Sequence, residues 1–126
     1  MRKINSTNYE NQKVLEDSCG LTYAMVVLTG RWKINILWNL NRGINRYSQF
    51  KNNIPGISEK MLTQRLKDLE KEGLIHRKDF KTVPPHVEYS FTEMGEKLVP
   101  ILVQLCEWGT EVRPELLKYS TQTEAI

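Results

Sequence analysis

The feature that most constrains this fold is a proline-glycine turn between two segments with helical periodicity. The first segment, residues 47–54, places Tyr47, Phe50 and Ile54 on one face, which predicts a helix of under three turns. Pro55 disfavours the helical conformation at the residue before it, so this helix must end at Ile54. The second segment therefore starts after a tight turn at residues 55–57 and does not continue the first helix.

The second segment, Ser58 to Gly73, carries signals for both ends of a helix. Ser58 can accept a hydrogen bond from a free N–H group of the first turn, and Gly73 can adopt the left-handed conformation that ends a helix. Leu62, Leu66 and Leu69 form its apolar face. Two helices joined by a short turn that contains glycine are typical of a helix-turn-helix, whose second helix lies in the DNA major groove.

The opposite face of this second helix is polar and basic. Lys60, Gln64, Lys67 and Lys71 form a stripe along it. A stripe of this kind is usually a solvated face. The charge distribution favours another interpretation, because residues 1–41, 42–82 and 83–126 carry net charges of +2, +5 and −4. A basic middle segment indicates an anionic partner, and an uneven surface charge without function is the alternative.

A β-hairpin is predicted directly after the second helix. Residues 74–80 are typical of a strand, and residues 87–91 alternate apolar and polar side chains as a half-buried strand does. Pro84 and Pro85 cannot donate ladder hydrogen bonds, so residues 81–86 must form a loop beyond the strand ends. A helix-turn-helix followed by a hairpin with a basic tip is the winged-helix plan, in which the hairpin, or wing, contacts the DNA backbone or minor groove.

Further helices are predicted at both ends of this unit. Residues 21–28 and 31–41 indicate two short buried helices, and Thr92 can cap a helix from Glu93 to about Glu115. This last helix has apolar residues on more than one face, whereas a domain of this size can cover only one. The surplus predicts a C2 homodimer formed by the N- and C-terminal helices. The predicted interface residues are Leu98, Leu102, Leu105 and Trp108.

Length and composition exclude several classes of protein. A chain of 126 residues fits one globular domain, and its longest uncharged run, residues 18–30, is shorter than the roughly 20 residues that span a bilayer. We therefore expect a cytoplasmic protein without a membrane segment. Cys19 and Cys106 lie far apart, and His76 and His86 lack companions at ligand spacing, so we expect no metal, disulfide or cofactor. We find no sequence pattern of a catalytic site and expect no enzyme.

Several short elements between Cys19 and Gly109 occur together in the order of a known family. They are Cys19, Gly30-Arg31-Trp32, Arg46-Tyr47, Pro55-Gly56-Ile57-Ser58, Met61 to Leu66, Val83 to Thr92, and Gly95. With these elements the chain resembles the HxlR-type winged helix-turn-helix family of bacterial transcription regulators. The resemblance implies a mainly α (α+β) fold: a winged helix-turn-helix with a two-stranded β-hairpin wing and flanking N- and C-terminal dimerisation helices. It also implies a dimeric DNA-binding regulator, often of genes that respond to oxidants or electrophiles.

Candidate DNA contacts follow from the winged-helix plan. The amide of Gln64 can pair with adenine through two hydrogen bonds, and the methyl group of Thr63 can contact thymine. The basic side chains can read guanine or hold phosphate. On the recognition helix the candidates are Ser58, Lys60, Thr63, Gln64, Arg65 and Lys67, and on the wing they are Arg77, Lys78, Lys81 and His86. For each wing residue the alternative is an ordinary solvated side chain.

The two cysteines call for different interpretations. Cys19 lies just before a helix, whose positive end favours the thiolate form of a thiol. Two readings of it stay open: a small buried apolar side chain, or a thiol sensor, the latter implied mainly by the family resemblance. Cys106, on an apolar helix, is predicted to be structural.

The sequence therefore predicts a sequence-specific transcriptional regulator that binds double-stranded DNA as a homodimer on an inverted repeat. A response to oxidants or electrophiles through Cys19 is implied by the resemblance. The alternatives are a winged-helix module that binds protein or RNA, and a regulator controlled by a small-molecule ligand. The predicted organisation is a polar N-terminal arm at residues 1–18, the winged domain at 19–109, and the end of the C-terminal helix and a tail at 110–126.

Overall fold

A computed structural model describes residues 19–125, with side chains described up to residue 120. The predicted polar arm, residues 1–18, lies outside the described residues. Five helices and two strands follow one another in these residues. They are α1 (Gly20–Leu28), α2 (Lys33–Asn41), α3 (Tyr47–Asn53), α4 (Glu59–Lys71), β1 (Ile75–Asp79), β2 (Val87–Phe91) and α5 (Glu93–Ala125).

The helix-turn-helix is formed by α3, the turn after it and α4, as predicted. The Ser58 hydroxyl accepts a hydrogen bond from the Met61 backbone N–H at 3.0 Å, which caps α4. At the other end, Gly73 has a φ of +81° and ends the helix in the left-handed conformation. The predicted apolar face is confirmed, because Leu62, Leu66 and Leu69 are the buried residues of α4.

The wing is an antiparallel hairpin of β1 and β2, in which Ile75 pairs with Phe91 and Asp79 pairs with Val87. The segment before α3 fastens this hairpin to the helices. The Tyr89 backbone N–H donates to the Asn45 carbonyl at 2.9 Å, and the Asn45 side chain donates to Glu88 Oε1 at 3.1 Å. The predicted winged-helix fold is thereby confirmed, with the wing held against the helix-turn-helix.

The hydrophobic core lies between α2, α3, α4 and the hairpin. Its members are Ile36, Leu37, Leu40, Phe50, Ile54, Ile57, Leu62, Leu66, Leu69, Ile75, Tyr89 and Leu102. The rings of Phe50 and Tyr89 meet edge to face at 6.1 Å between centroids, an arrangement that adds to the stabilisation from burial. This core fixes the angle at which α4 projects from the domain.

The prediction that α1 is a buried helix is wrong. None of its residues is buried in the single chain, and Leu21, Tyr23, Met25 and Val26 are exposed. Its half-buried residues are Ala24, Val27 and Leu28, of which Leu28 packs against the core. The reason is geometric: a helix that is apolar all round needs cover on all sides, and this small domain covers one side in part.

A buried lysine joins α1, α2 and α4. The Lys33 ammonium donates to the Val27 carbonyl at 3.1 Å and to Glu72 Oε1 at 2.7 Å. The Lys33 side chain is 6% exposed and that of Glu72 is 34% exposed. Because a buried charge is costly without a partner, this pair ties the end of α1 to the end of α4.

The C-terminal helix is longer than predicted, since α5 continues to Ala125 and does not end near Glu115. Its apolar pattern fades after residue 117, but an established helix can propagate through polar residues. Thr92 caps its start as predicted, accepting a hydrogen bond from the Gly95 N–H at 3.0 Å. A Cβ at Gly95 would lie 2.1 Å from the Leu74 carbonyl oxygen. The first turns of α5 therefore pack tightly against the segment that precedes the wing.

The four predicted interface residues of α5 divide into two groups. Leu102 is 2% exposed and belongs to the core of its own chain, so its prediction as an interface residue is wrong. Leu98 is half-buried against the same core. Leu105 and Trp108 are 50% and 59% exposed and remain available to a second chain. No helix within residues 19–125 has the length and apolarity needed to cross a membrane.

Candidate nucleic-acid interface

The outward face of α4 carries the predicted recognition residues. Lys60, Gln64 and Lys67 are exposed, and neither lysine side chain forms a hydrogen bond or ion pair with the described residues. Thr63 is also exposed, but its hydroxyl lies 3.1 Å from the Tyr47 hydroxyl. Tyr47 in turn donates to the Glu59 carbonyl at 3.0 Å. The two lysines are therefore free cations, whereas Thr63 is oriented by a residue of α3.

Arg65 is engaged within the chain. Its Nε donates to the Arg31 carbonyl at 3.1 Å, and its Nη1 lies 2.6 Å from Asp68 Oδ2. The second carboxylate oxygen of Asp68 accepts a hydrogen bond from Gln64 Nε2 at 2.9 Å. Of the six residues predicted on the recognition helix, Arg65 is thus the one whose charged group is already paired. Ser58 is occupied as the cap of α4.

The electrostatics of Asp68 follow from these contacts. Burial raises the pKa of this carboxyl group, but the hydrogen bonds from Gln64 and Arg65 and the charges of Arg65 and Lys33 outweigh it. The net result is a pKa below the usual value. Asp68 therefore stays ionised at neutral pH and accepts both hydrogen bonds as a carboxylate.

The wing carries a stack of aromatic and cationic groups. The Lys78 ammonium lies 4.6 Å from the centroid of the Phe80 ring, and the rings of Phe80 and His86 are 4.4 Å apart. His86 Nε2 also lies 2.8 Å from Glu88 Oε2, so this predicted DNA contact already has an acidic neighbour. Lys81 is exposed at the base of the loop, where its backbone N–H donates to Asp79 Oδ1 at 2.8 Å.

The wing and α4 border one polar cleft of about 400 Å³. Its lining residues come from α3, α4, β1 and β2 and are Tyr47, Thr63, Lys67, Glu70, Arg77 and Tyr89. Burial raises the pKa of the Tyr89 hydroxyl, although Arg77, its partner across the hairpin, has the opposite effect. The cleft places the predicted recognition helix and the predicted wing residue Arg77 on the same side of the molecule.

Sequence reasoning did not single out Tyr47 or Asp68 as members of this site. The Asp68 contacts had a local signal, because Gln64 and Arg65 precede it by four and three residues, and side chains at these spacings meet on a helix. Tyr47 had none, since its contacts with α4 depend on how α3 packs. Residues 19–120 contain no cluster of potential metal ligands.

Both cysteines are exposed in the single chain. Within the single chain, Cys19 is therefore not a buried apolar side chain, and Cys106 is not packed in the core. Cys19 occupies the N-cap position of α1, with its Sγ 3.4 Å from the Thr22 hydroxyl. The contact with the Thr22 side chain and the nearby first-turn backbone N–H groups lower the pKa of the Cys19 thiol. Cys19 is therefore accessible in the single chain, and the pKa of its thiol lies below the ordinary value.

Comparison with known proteins identifies the family of this chain. The profile of the HxlR-like helix-turn-helix family matches residues 27–116. This chain belongs to that family. The HxlR-like chain is 50% identical over 92 residues to the uncharacterised HTH-type transcriptional regulator YkvN of Bacillus subtilis, covering 73% of this chain and 78% of YkvN. The predicted family is confirmed.

Two solved structures are similar along most of the HxlR-like chain. The redox regulator HypR in its reduced form has a TM-score of 0.75 and 38% identity, covering 80% of this chain and all of that one. Diamide-treated YodB from B. subtilis has a TM-score of 0.61 and 31% identity, covering 75% of this chain and 95% of that one. The chain is thus a transcriptional regulator of helix-turn-helix type and not an enzyme, as predicted.

Proposed function

We propose that this HxlR-like regulator binds double-stranded DNA in a sequence-specific manner, with α4 in the major groove and the wing against the backbone. The observation that carries the proposal is the exposed face of α4. There Lys60 and Lys67 are unpaired and Gln64 is exposed. The cleft between α4 and the wing is lined by Lys67 and by Arg77 of the wing. Cations hold phosphate and an amide can read adenine, so this face combines affinity with specificity.

We further propose that the DNA-binding unit is a homodimer on an inverted repeat. The support is the apolar surface of α1 and α5, which includes Tyr23, Met25, Leu105 and Trp108 and is too extensive for a monomer in water. A two-fold dimer would present two copies of α4 to successive major grooves, about 34 Å apart. Its operator would then have two half-sites in opposite orientation.

The test separates base contacts from phosphate contacts. The operator would be selected from a random duplex library with wild-type protein, and binding to operator and scrambled duplexes would be measured across a salt series. Gln64→Ala is expected to lose about 1–3 kcal/mol on the operator only. Lys81→Ala is expected to weaken binding to both duplexes and to lower the salt slope by about one unit. Lys118→Ala, an exposed lysine far along α5, is the matched control and should change neither.

A protein- or RNA-binding module is the alternative. Winged helices are not restricted to DNA, because a fold does not fix the partner. A winged helix that binds protein is expected to carry acidic or apolar residues on this face of α4, whereas the face is basic and polar here. This alternative would replace the proposal if wild-type protein enriched no duplex sequence. It would also do so if Gln64→Ala and Lys81→Ala left the affinities for operator and scrambled duplexes unchanged.

We also propose that oxidants or electrophiles control DNA binding through Cys19. The support is the accessible thiol of lowered pKa at the start of α1, together with the similarity to HypR and YodB, which are described as a redox regulator and in a diamide-treated state. Diamide is expected to change the operator affinity of wild type and of Cys106→Ser but not of Cys19→Ser. If Cys19→Ser responds like wild type, control by a small-molecule ligand becomes the better hypothesis.

A further inference from the structure

Among the side chains that the structure describes, Asp68 is the acidic one that contacts predicted base-reading residues of α4. It accepts a hydrogen bond from Gln64 at 2.9 Å through Oδ1 and an ion pair from Arg65 at 2.6 Å through Oδ2. A carboxylate on a surface that meets phosphate is unfavourable unless its charge is neutralised. The Arg65 guanidinium supplies that neutralisation.

We propose that Asp68 is a positioning residue that sets the orientation of the Gln64 amide for base reading, with Arg65 as its anchor. This inference rests on the DNA-binding function proposed above. Asp68 is an acceptor only, so the group of Gln64 that faces it must be the NH₂ group. The Gln64 oxygen and one N–H remain free, and these are the two groups that an adenine edge requires.

Arg65 makes the orientation rigid. Its guanidinium is held on one side by Asp68 and on the other by the Arg31 carbonyl, in the turn between α1 and α2. Asp68 and Arg65 are both about three-quarters buried, at 25% and 24% side-chain exposure. The amide of Gln64 is therefore linked through two hydrogen-bonded side chains to the backbone of a different element.

This arrangement predicts a specific loss of sequence discrimination. Without Asp68 the Gln64 side chain must be immobilised on each binding event, and its amide can present the wrong order of donor and acceptor. Asp68→Ala is expected to reduce the ratio of operator to scrambled affinity about 2- to 12-fold, the cost of ordering one flexible side chain. Glu96→Ala is the control, because Glu96 is exposed on α5, outside the cleft, and its replacement also removes one negative charge. It should raise both affinities without changing their ratio.

A double-mutant cycle distinguishes positioning from a general structural effect. In a Gln64→Ala background, Asp68→Ala should leave the affinity ratio unchanged, because the group that it orients is absent. An equal loss of the ratio in both backgrounds would overturn the proposal. Circular dichroism of each variant checks folding, and alanine is well tolerated within a helix.

Nuclear magnetic resonance of the free protein gives a second readout that does not require DNA. Relaxation of the Gln64 side-chain amide ¹⁵N should report a restricted group in wild type and a mobile group in Asp68→Ala. A mobile amide in wild type would also overturn the proposal. If wild type selects no operator, the DNA-binding function itself fails. If wild type and Gln64→Ala behave as proposed but Asp68→Ala keeps the full ratio, only the role of Asp68 fails.

Discussion

Apolar residues are mostly buried in the segment from α2 to β2 and mostly exposed in the two outer helices, α1 and α5. Of the twelve buried apolar residues in the described part of the chain, eleven belong to the segment from α2 to β2. Of the thirteen large apolar residues that are exposed there, eleven belong to α1 and α5. Apolar residues thus form a closed core in one region and an open apolar surface in the other.

The difference teaches how to separate folding from assembly in this chain. The winged segment, together with Leu102 of α5, buries its apolar residues within one chain. Most large apolar residues of the outer helices are exposed in the single chain, and the proposed dimer would cover them. Core substitutions should consequently lower the free energy of unfolding, whereas substitutions at exposed apolar residues of the outer helices should weaken association. α5 contains residues of both kinds, so the two effects can be compared within a single helix.

The largest effect is expected for Leu102→Asp. Of the α5 side chains up to residue 120, Leu102 is the one in the core, at 2% exposure. Replacing it with a carboxylate removes core packing and buries an unpaired charge, at a cost of about 5 kcal/mol. Urea denaturation should show protein that is unfolded or nearly unfolded even without urea, at every protein concentration. A folded Leu102→Asp chain would place α5 differently from this structure.

A somewhat smaller effect is expected for Gly95→Ala, which should lower the free energy of unfolding by about 3 kcal/mol. The new Cβ would lie 2.1 Å from the Leu74 backbone oxygen, so the start of α5 must shift away from the wing. Urea denaturation measures the loss. Gly109→Ala on the same helix is the control, since a Cβ there meets no atom within 4 Å, and it should leave stability unchanged or improved.

Leu105→Asp should act on assembly and leave the fold intact. Leu105 is 50% exposed in the single chain, so a charge there stays hydrated in the monomer. In the proposed dimer the same charge would be desolvated, which should weaken association by about 2 kcal/mol, or about 30-fold. Sedimentation velocity measures this shift. Unchanged association with a wild-type urea midpoint would remove Leu105 from the interface.

The smallest effect is expected for Thr22→Val in α1. The Thr22 hydroxyl lies 3.4 Å from Cys19 Sγ and is the largest cause of its lowered pKa. Without it the pKa rises, so a smaller fraction of Cys19 is thiolate at pH 7.5 and alkylation by iodoacetamide slows by roughly 2- to 5-fold. Above the pKa of the variant thiol, the two rates should converge. A rate for Thr22→Val equal to wild type at all pH values would contradict this role of Thr22.

Features that depend on neighbours in sequence could be predicted. The caps at Ser58, Thr92 and Gly73 and the turn at Pro55 are local, because each depends on residues within about one helical turn. The period-two alternation before Thr92 likewise indicated the second strand of the wing. Membership of the HxlR-like family followed from the same short elements.

Features that depend on distant packing could not be predicted. Lys33 and Glu72 are separated by 39 positions, and nothing local marks them as a pair. Hydrophobicity all round α1 indicated a need for cover but could not say which chain supplies it. The same limit explains Leu102, because helical periodicity places it among apolar neighbours without identifying which face meets the core.

The Lys33 ammonium anchors the C-terminal end of α1, whereas Cys19 at the opposite end is exposed. The ammonium donates to the Val27 carbonyl and pairs with the Glu72 carboxylate, so the last turn of α1 is joined to the end of α4. Nine helical residues span about 14 Å, so a tilt of about 10° carries the opposite end through about 2 Å. Cys19 lies at that opposite end. A covalent bond that displaced Cys19 would tilt α1 and act on the Lys33 contacts beside the end of α4.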